Sequence, residues 1–336
     1  MIDRTLPLID LHRHLDGSVR LSTVLDLAER HGIALPARDL EGLRPHVQVE
    51  GRAPGVMAFI SRFRWLLEVM VSPEACRRIA YENVEDARGE GIDYLELRFS
   101  PWFMAERHGL DPAAVVEAVA DGVAAGRREF GVPVGLIGIL SRTYGPEVAT
   151  RELEALLAHR SSLVALDLAG DEARFPAALF ADHFRRARDA GWRVTVHAGE
   201  AAGAQSVWSS IRDLGATRIG HAVRAIEDPR LVEHMSRHGI GVEANLTSNV
   251  QTRAVAEFAA HPLRRYLDAG VLANLNTDDP AISGIDLRHE FEVAAPAAGL
   301  TAAHARRAQQ CAIEMAFLDA SERRALVAAK GGPPAA

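Results

Sequence analysis

Along the chain, short apolar and β-branched runs alternate with longer segments whose apolar positions recur at i, i+3, i+4 and i+7. The short runs predict strands at "PLIDLH" (7–12), "DYLELRF" (93–99), "VGLIGIL" (134–140) and "LVALDLA" (163–169). Four more follow at "WRVTVHA" (192–198), "TRIGHAV" (217–223), "GIGVEAN" (239–245) and "VLANLNT" (271–277). Between them lie helical segments such as "PAAVVEAVADGVAAGRREFG", for which Asp111 offers an N-cap and Pro112 a first helical residue. Eight strands alternating with helices predict an α/β fold, a (β/α)8 TIM barrel. The competing arrangement is a doubly wound open sheet, and the lack of a G-x-G-x-x-G after the first strand argues against it.

One connection is too long for an ordinary βα unit. Between strands 1 and 2, from about residue 13 to 92, the chain carries "FISRFRWLLEVM" (59–70), apolar, helical in spacing and rich in aromatics. Insertions after barrel strands sit over the C-terminal mouth, where ligands bind, so this segment is expected to be a helical cover. Phe59 and Phe63 are one helical turn apart and are expected to share a face that closes a pocket. Residues 1–330 are expected to form one barrel domain. The tail 331–336, "GGPPAA", has nothing to pack and is expected to be disordered.

Composition narrows the chemistry. The 336 residues are 48% hydrophobic and 25% charged, ordinary for a globular protein, and the net charge of -7 argues against nucleic-acid or membrane partners. No apolar stretch is long enough to span a bilayer and the N-terminus lacks a signal-peptide core, so a cytoplasmic location is expected. Cys76 and Cys311 lie far apart and suggest no disulfide framework. The only lysine is Lys330, at the edge of the tail. That excludes a Schiff-base aldolase, a pyridoxal phosphate enzyme, a Walker P-loop and a metal-bridging carboxylated lysine in the body of the chain.

The polar residues that remain collect at strand ends: His12 and His14 on strand 1, His197 and Glu200 after strand 5, His221 on strand 6, Asp278 and Asp279 after strand 8. A barrel brings these ends to one rim. His12 and His14 share a face by strand alternation. With His197 and Asp278 they make an N3O donor set that suits a single Zn²⁺ with room for water; iron is the other candidate. A zinc-bound water ionises near pH ~7, which points to metal-assisted hydrolysis at an electrophilic carbon. Glu200 is placed as a proton shuttle, and His221 to orient the hydroxide or take its proton. Asp279 is placed to hold substrate or that hydroxide, its alternatives being support of the ligands from behind or a helix cap before "PAISGIDL".

At these residues the chain resembles the adenosine deaminase family, bacterial type. "HRHLDG", "ELRFSP", "LDLAGDE", "VHAGE", "RIGH", "LTSN" and "NTDDP" occur in family order over residues 5 to 320. The resemblance implies His12, His14, His197 and Asp278 as zinc ligands, and Glu200 as the acid that protonates purine N1 while zinc hydroxide adds to C6. It implies His221 as the residue assisting the hydroxide, Asp279 at substrate N7 and the Gly170 N–H at N3. Asp16, with His14 beside it, corresponds to the ribose contact, and Phe59 and Phe63 to the apolar wall. The implied reaction converts adenosine or 2'-deoxyadenosine, with water, to inosine or deoxyinosine and ammonia, a purine-salvage activity of a zinc-containing monomer.

Two positions depart from the family pattern. Ala222 stands where glycine usually follows the strand 6 histidine, and Asn245 where cysteine is common. An amide makes hydrogen bonds that a thiol does not. Related enzymes that act on adenine or other 6-aminopurines carry "HLEG" where this chain has "HLDG"; the shorter Asp16 leaves room for a sugar. A different outcome, an inactive zinc-containing nucleoside-binding protein, conflicts with the presence of Glu200 and all four ligands.

Overall fold

The computed structural model describes residues 1–53 and 55–331; the tail expectation at 332–336 lies outside the described residues. Eight parallel strands form one sheet in sequence order: β1 (Ile9–His14), β2 (Tyr94–Phe99), β3 (Val134–Ser141), β4 (Leu163–Ala169), β5 (Arg193–Ala198), β6 (Arg218–His221), β7 (Gly241–Ala244) and β8 (Ala273–Leu275). Nearly every strand residue is buried, as expected where helices cover the outer face and side chains fill the interior. This is the (β/α)8 barrel.

The barrel closes at the β8–β1 seam in an unusual way. Ladder pairing there is a single parallel bridge between Arg13 and Asp278. His14 N–H donates to the Asp278 carbonyl at 2.9 Å, and Asp278 N–H donates to the His12 carbonyl at 2.8 Å. One step down, the Asn276 side-chain oxygen accepts from Leu11 N–H at 2.9 Å, taking the place of a main-chain partner. The backbone that shuts the barrel therefore belongs to residues expected to hold a metal.

Strand limits differ from the sequence reading at this seam. β1 starts at Ile9 because Leu8 N–H is taken by the Asp93 side chain at 2.7 Å, and it runs on to His14. β8 stops at Leu275 because the Asn276 side chain takes over.

The long β1–β2 connection forms α1 (Leu21–His31), α2 (Leu40–Val47), α3 (Val56–Ile60), α4 (Arg64–Glu68) and α5 (Pro73–Glu90). A 3-10 turn at Ser61–Phe63 breaks the aromatic stretch that its spacing suggested as one helix. Phe59 and Phe63 still meet, rings edge to face with centroids 6.5 Å apart. After β2 come α6 (Pro101–Ala105) and α7 (Pro112–Phe130), the latter starting as the sequence predicted: Asp111 accepts from Ala113 N–H and Pro112 is its first residue. Cys76 and Cys311 are both buried and free. Among the described residues, no helix is long and apolar enough to cross a membrane.

Candidate metal centre and active site

At the C-terminal rim the four expected ligands converge. His12 Nε2 and His14 Nε2 each lie 3.1 Å from His197 Nε2. Asp278 Oδ1 lies 3.2 Å from His12 Nε2 and 3.4 Å from His14 Nε2. A tetrahedral site with metal–nitrogen distances of about 2.0–2.1 Å has ligand–ligand edges of about 3.3–3.4 Å, so the set has the size such an ion requires. Protonation supports the same fit. His12 Nδ1 sits 2.6 Å from Glu243, and His197 Nδ1 3.0 Å from Asp167. With those nitrogens donating to carboxylates, Nε2 of each ring is left to face the space among the four ligands. Against its burial, Asp278 and Glu243 raise His12 above the ordinary histidine value, a positive charge favoured at the point where a cation would sit.

His221 also belongs to this cluster, within 4.8 Å of His12, His197 and Asp278 donors. Its Nε2 is 4.0 Å from Asp278 Oδ2, a longer edge than those of the other four, and it stands beside the tetrahedron. Burial holds His14 well below the usual histidine range and lowers His197 to about 4, so both are neutral donors. Burial acts against the Asp278 carboxylate, yet His221, His12 and His14 hold it well below its ordinary value.

Two of these side chains sit on strained backbone. His221 and Asp278, neither a glycine, adopt φ of 62°. That left-handed conformation costs about 1–3 kcal/mol and turns each side chain from its strand end into the mouth. Gly220, just before His221, is a close-approach glycine: a Cβ there would lie 2.7 Å from His12 Cε1.

Behind the ligands lies a buried ionic frame to which the sequence reading assigned no role. Arg98 donates to Asp167 at 2.8 Å, to Glu243 at 2.7 Å and to the Leu11 carbonyl at 2.6 Å. Arg218 donates to Glu243 at 2.7 Å and pairs with Glu96. Arg98 and Arg218 keep Glu243 ionised against its burial. His197 and Arg98 do the same for Asp167. The available signal was charged residues set in short buried strands, Glu96 and Arg98 on β2, Asp167 on β4, Arg218 on β6 and Glu243 on β7, which a barrel interior tolerates only when the charges are paired.

Glu172 is the second omission. Its carboxylate accepts from four consecutive backbone N–H groups: Gly199 at 2.6 Å, Glu200 at 3.2 Å, Ala201 at 2.7 Å and Ala202 at 2.9 Å. The β4–α loop thus pins the β5 loop and aims Glu200. Glu200 Oε1 accepts from Thr252 Oγ at 3.3 Å, and its Oε2 lies 3.7 Å from His221 Nε2. Burial first, then the nearby Asp278 charge, raises its pKa.

Asp279 does not cap the helix it precedes. Its Oδ1 is buried without a hydrogen-bond partner, and burial together with Asp278 and Asp16 pushes it far above the ordinary carboxyl value. Gly17 explains the last letter of "HLDG": a Cβ there would lie 1.8 Å from Asp279 Oδ1. Asp16 Oδ1 is likewise buried and unpartnered, and burial raises Asp16 to about 7.

These groups line one cavity of about 270 Å³ that includes Phe59, Phe63 and Gly170 with the polar residues above. Every expected site residue lines it except His12, which is fully buried behind the others. Asn245 Nδ2 lies 3.3 Å from His221 Nδ1, so the departure at this position does bring an amide to the histidine. Ala222 is buried with φ 52° and is not among the lining residues. Its methyl therefore leaves the cavity wall unchanged; its consequence is a left-handed backbone that glycine adopts more easily.

A parallel barrel with a His-His-His-Asp centre and acids in the same mouth defines a metal-dependent hydrolase. The family model described as adenosine deaminase matches residues 7–329. The adenosine deaminase of Edwardsiella ictaluri is 58% identical over 330 residues, covering 98% of this chain and 99% of its own. That of Escherichia coli O157:H7 is 56% identical over 333 residues, covering 98% and 100%. Among solved structures, an adenine deaminase from Arthrobacter aurescens superposes with a TM-score of 0.90 at 26% identity, covering 97% of this chain and 98% of its own. An amidohydrolase from Burkholderia ambifaria with bound Zn gives 0.87 at 26% identity, covering 98% and 90%. The chain belongs to the adenosine deaminase family.

Proposed function

We propose that this protein hydrolyses adenosine and 2'-deoxyadenosine to inosine and deoxyinosine, releasing ammonia, with one zinc ion held by His12, His14, His197 and Asp278. The observation that carries the reading is the 3.1–3.4 Å spacing of those four donors with Glu200, Asp279 and Asp16 in the same mouth. Zinc in that set supplies Lewis acidity and an acidified water at the point of attack.

The chain's own groups do the rest. Purine N1 and N7 carry lone pairs and need donors. Burial keeps Glu200 and Asp279 protonated to higher pH than an exposed carboxyl, which makes each a donor. Glu200 gives its proton to N1, breaking ring conjugation and making C6 electrophilic. Asp279 donates to N7, and the Gly170 N–H to N3. Water adds at C6, oriented by His221, and gives one proton back to the Glu200 carboxylate; the hydroxyl proton then passes to the amino group, which leaves as ammonia as C6 becomes a carbonyl. Phe59 and Phe63 form the apolar wall.

Asp16 reads the ribose, with His14 beside it. Its one-carbon-shorter side chain favours a nucleoside over free adenine, the substrate named for the Arthrobacter aurescens structure. The further expectations of a monomer and of a place in purine salvage rest on the resemblance alone, and that of a cytoplasmic location on the sequence alone. The test is ammonia release from zinc-loaded protein offered adenosine, 2'-deoxyadenosine, adenine and AMP in parallel. Fast release from the nucleosides and not from adenine is expected; release from adenine alone, or from none, overturns the reading.

A further inference from the structure

We infer that His261 and Asn249 form a relay that fixes His221 as its Nε2–H tautomer, with the ring proton facing the reaction space. The chain of donors starts from a group whose role is not in question. Leu263 backbone N–H donates to His261 Nδ1 at 3.1 Å, so that nitrogen carries a lone pair and the proton of the neutral ring is on Nε2. His261 Nε2 lies 3.1 Å from Asn249 Oδ1 and donates to it. That fixes the orientation of the Asn249 amide, whose Nδ2 then faces His221 Nδ1 at 2.8 Å. An amide NH₂ only donates, so His221 Nδ1 is an acceptor and the proton sits on Nε2. That nitrogen faces Glu200 Oε2 at 3.7 Å and Asp278 Oδ2 at 4.0 Å.

The relay has no slack in it. His261, Asn249 and His221 are all buried, so bulk water does not offer competing partners. Burial lowers His261 to about 3, so the ring remains neutral and Nδ1 remains an acceptor at working pH. The Asn249 main chain is held at both ends, by the Asn245 carbonyl at 2.9 Å and Val255 N–H at 3.0 Å. Asn245 also turns Nδ2 toward His221 Nδ1, at 3.3 Å, but its Oδ1 has no partner and nothing sets that amide's orientation. Asn249 therefore chooses the tautomer and Asn245 follows. His261 and Asn249 are positioning residues, and with them in place His221 presents a donor to the attacking water and has no free lone pair on Nε2.

The consequence for rate rests on the proposed deamination; the tautomer does not, and it is read without turnover. The experiment uses zinc-loaded protein with ¹⁵N-labelled histidine, correlating ring nitrogens with ring carbon-bound protons, with the His221 pattern assigned by its loss in His221→Gln. Expected is a His221 ring protonated at Nε2 and bare at Nδ1. Asn249→Asp replaces the donor with an acceptor and moves the proton to Nδ1, with kcat falling about 10²–10⁴-fold. His261→Ala mixes the two tautomers, whereas His261→Gln, which restores an amide donor, retains the native one. The His261 pair decides the matter if Asn249→Asp does not fold. A native His221 protonated at Nδ1, or an unchanged pattern in both Asn249→Asp and His261→Ala, overturns the relay. The expected pattern with no ammonia released from any aminopurine upholds the relay and overturns the proposed reaction.

Discussion

The Glu243 carboxylate lies 2.6 Å from Nδ1 of His12, across the ring from the Nε2 that meets His197 Nε2 at 3.1 Å. A residue on β7 thus decides which nitrogen of a β1 histidine is free to bind a metal. Arg98 and Arg218 complete the arrangement by keeping Glu243 ionised inside the barrel.

Glu243→Gln tests that dependence. The amide nitrogen faces either His12 and Arg98, which share Oε2, or Arg218 and Thr195, which share Oε1, so one of the two pairs loses its acceptor. Metal affinity should fall about 10–100-fold, as for other partners that orient a ligating histidine. Competition with a chromogenic chelator measures it; unchanged affinity would show that His12 needs no such support.

Glu172→Ala should separate positioning from metal binding. Four N–H groups lose their shared acceptor, and hydrogen bonds to a charged group contribute about 1.5–3 kcal/mol each. Only part of this is lost, because water can reach the loop, so destabilisation of about 1–3 kcal/mol is expected in urea titrations. Displacing Glu200 should lower kcat by up to about 10²-fold while zinc content stays at one per chain. Loss of zinc in this variant would contradict the division of roles.

Much of the site was legible because its parts lie at strand ends, where a barrel converges whatever its loops do. "HRH", "HAGE", "GH" and "TDDP" needed only the expected topology to become one constellation. Glu243, Asp167 and Arg98 were not assigned roles because their partners sit on other strands and are set by barrel closure, a non-local fact. The β1 and β8 limits were misplaced for a related reason: side chains of Asp93 and Asn276 take main-chain positions in the seam. The break in the aromatic helix left no mark in its hydrophobic spacing.

The pH profile follows from Glu200. Burial raises its pKa, so the folded site retains the proton to higher pH than a free carboxyl. Activity that needs the protonated form is present below that raised pKa and is lost as pH rises through it. kcat/KM for adenosine should therefore fall on the alkaline limb. A profile that climbs steadily through that limb would remove Glu200 as the acid.

Asp16→Ala should act on nucleosides selectively. Loss of the proposed ribose contact is expected to lower kcat/KM for adenosine at least about tenfold, the value of a hydrogen bond to a charged group. Slow turnover of adenine, which has no ribose, should scarcely change. Equal losses on both substrates would assign Asp16 to the purine or to folding.

In the proposed reaction Glu200 moves the proton while the metal set is complete without it. The most direct measurement is single-turnover ammonia release from adenosine by zinc-replete Glu200→Gln. Expected is one zinc per chain with release slowed by about 10²–10⁴-fold or more. Near-native release, or a variant that cannot retain zinc, would contradict it.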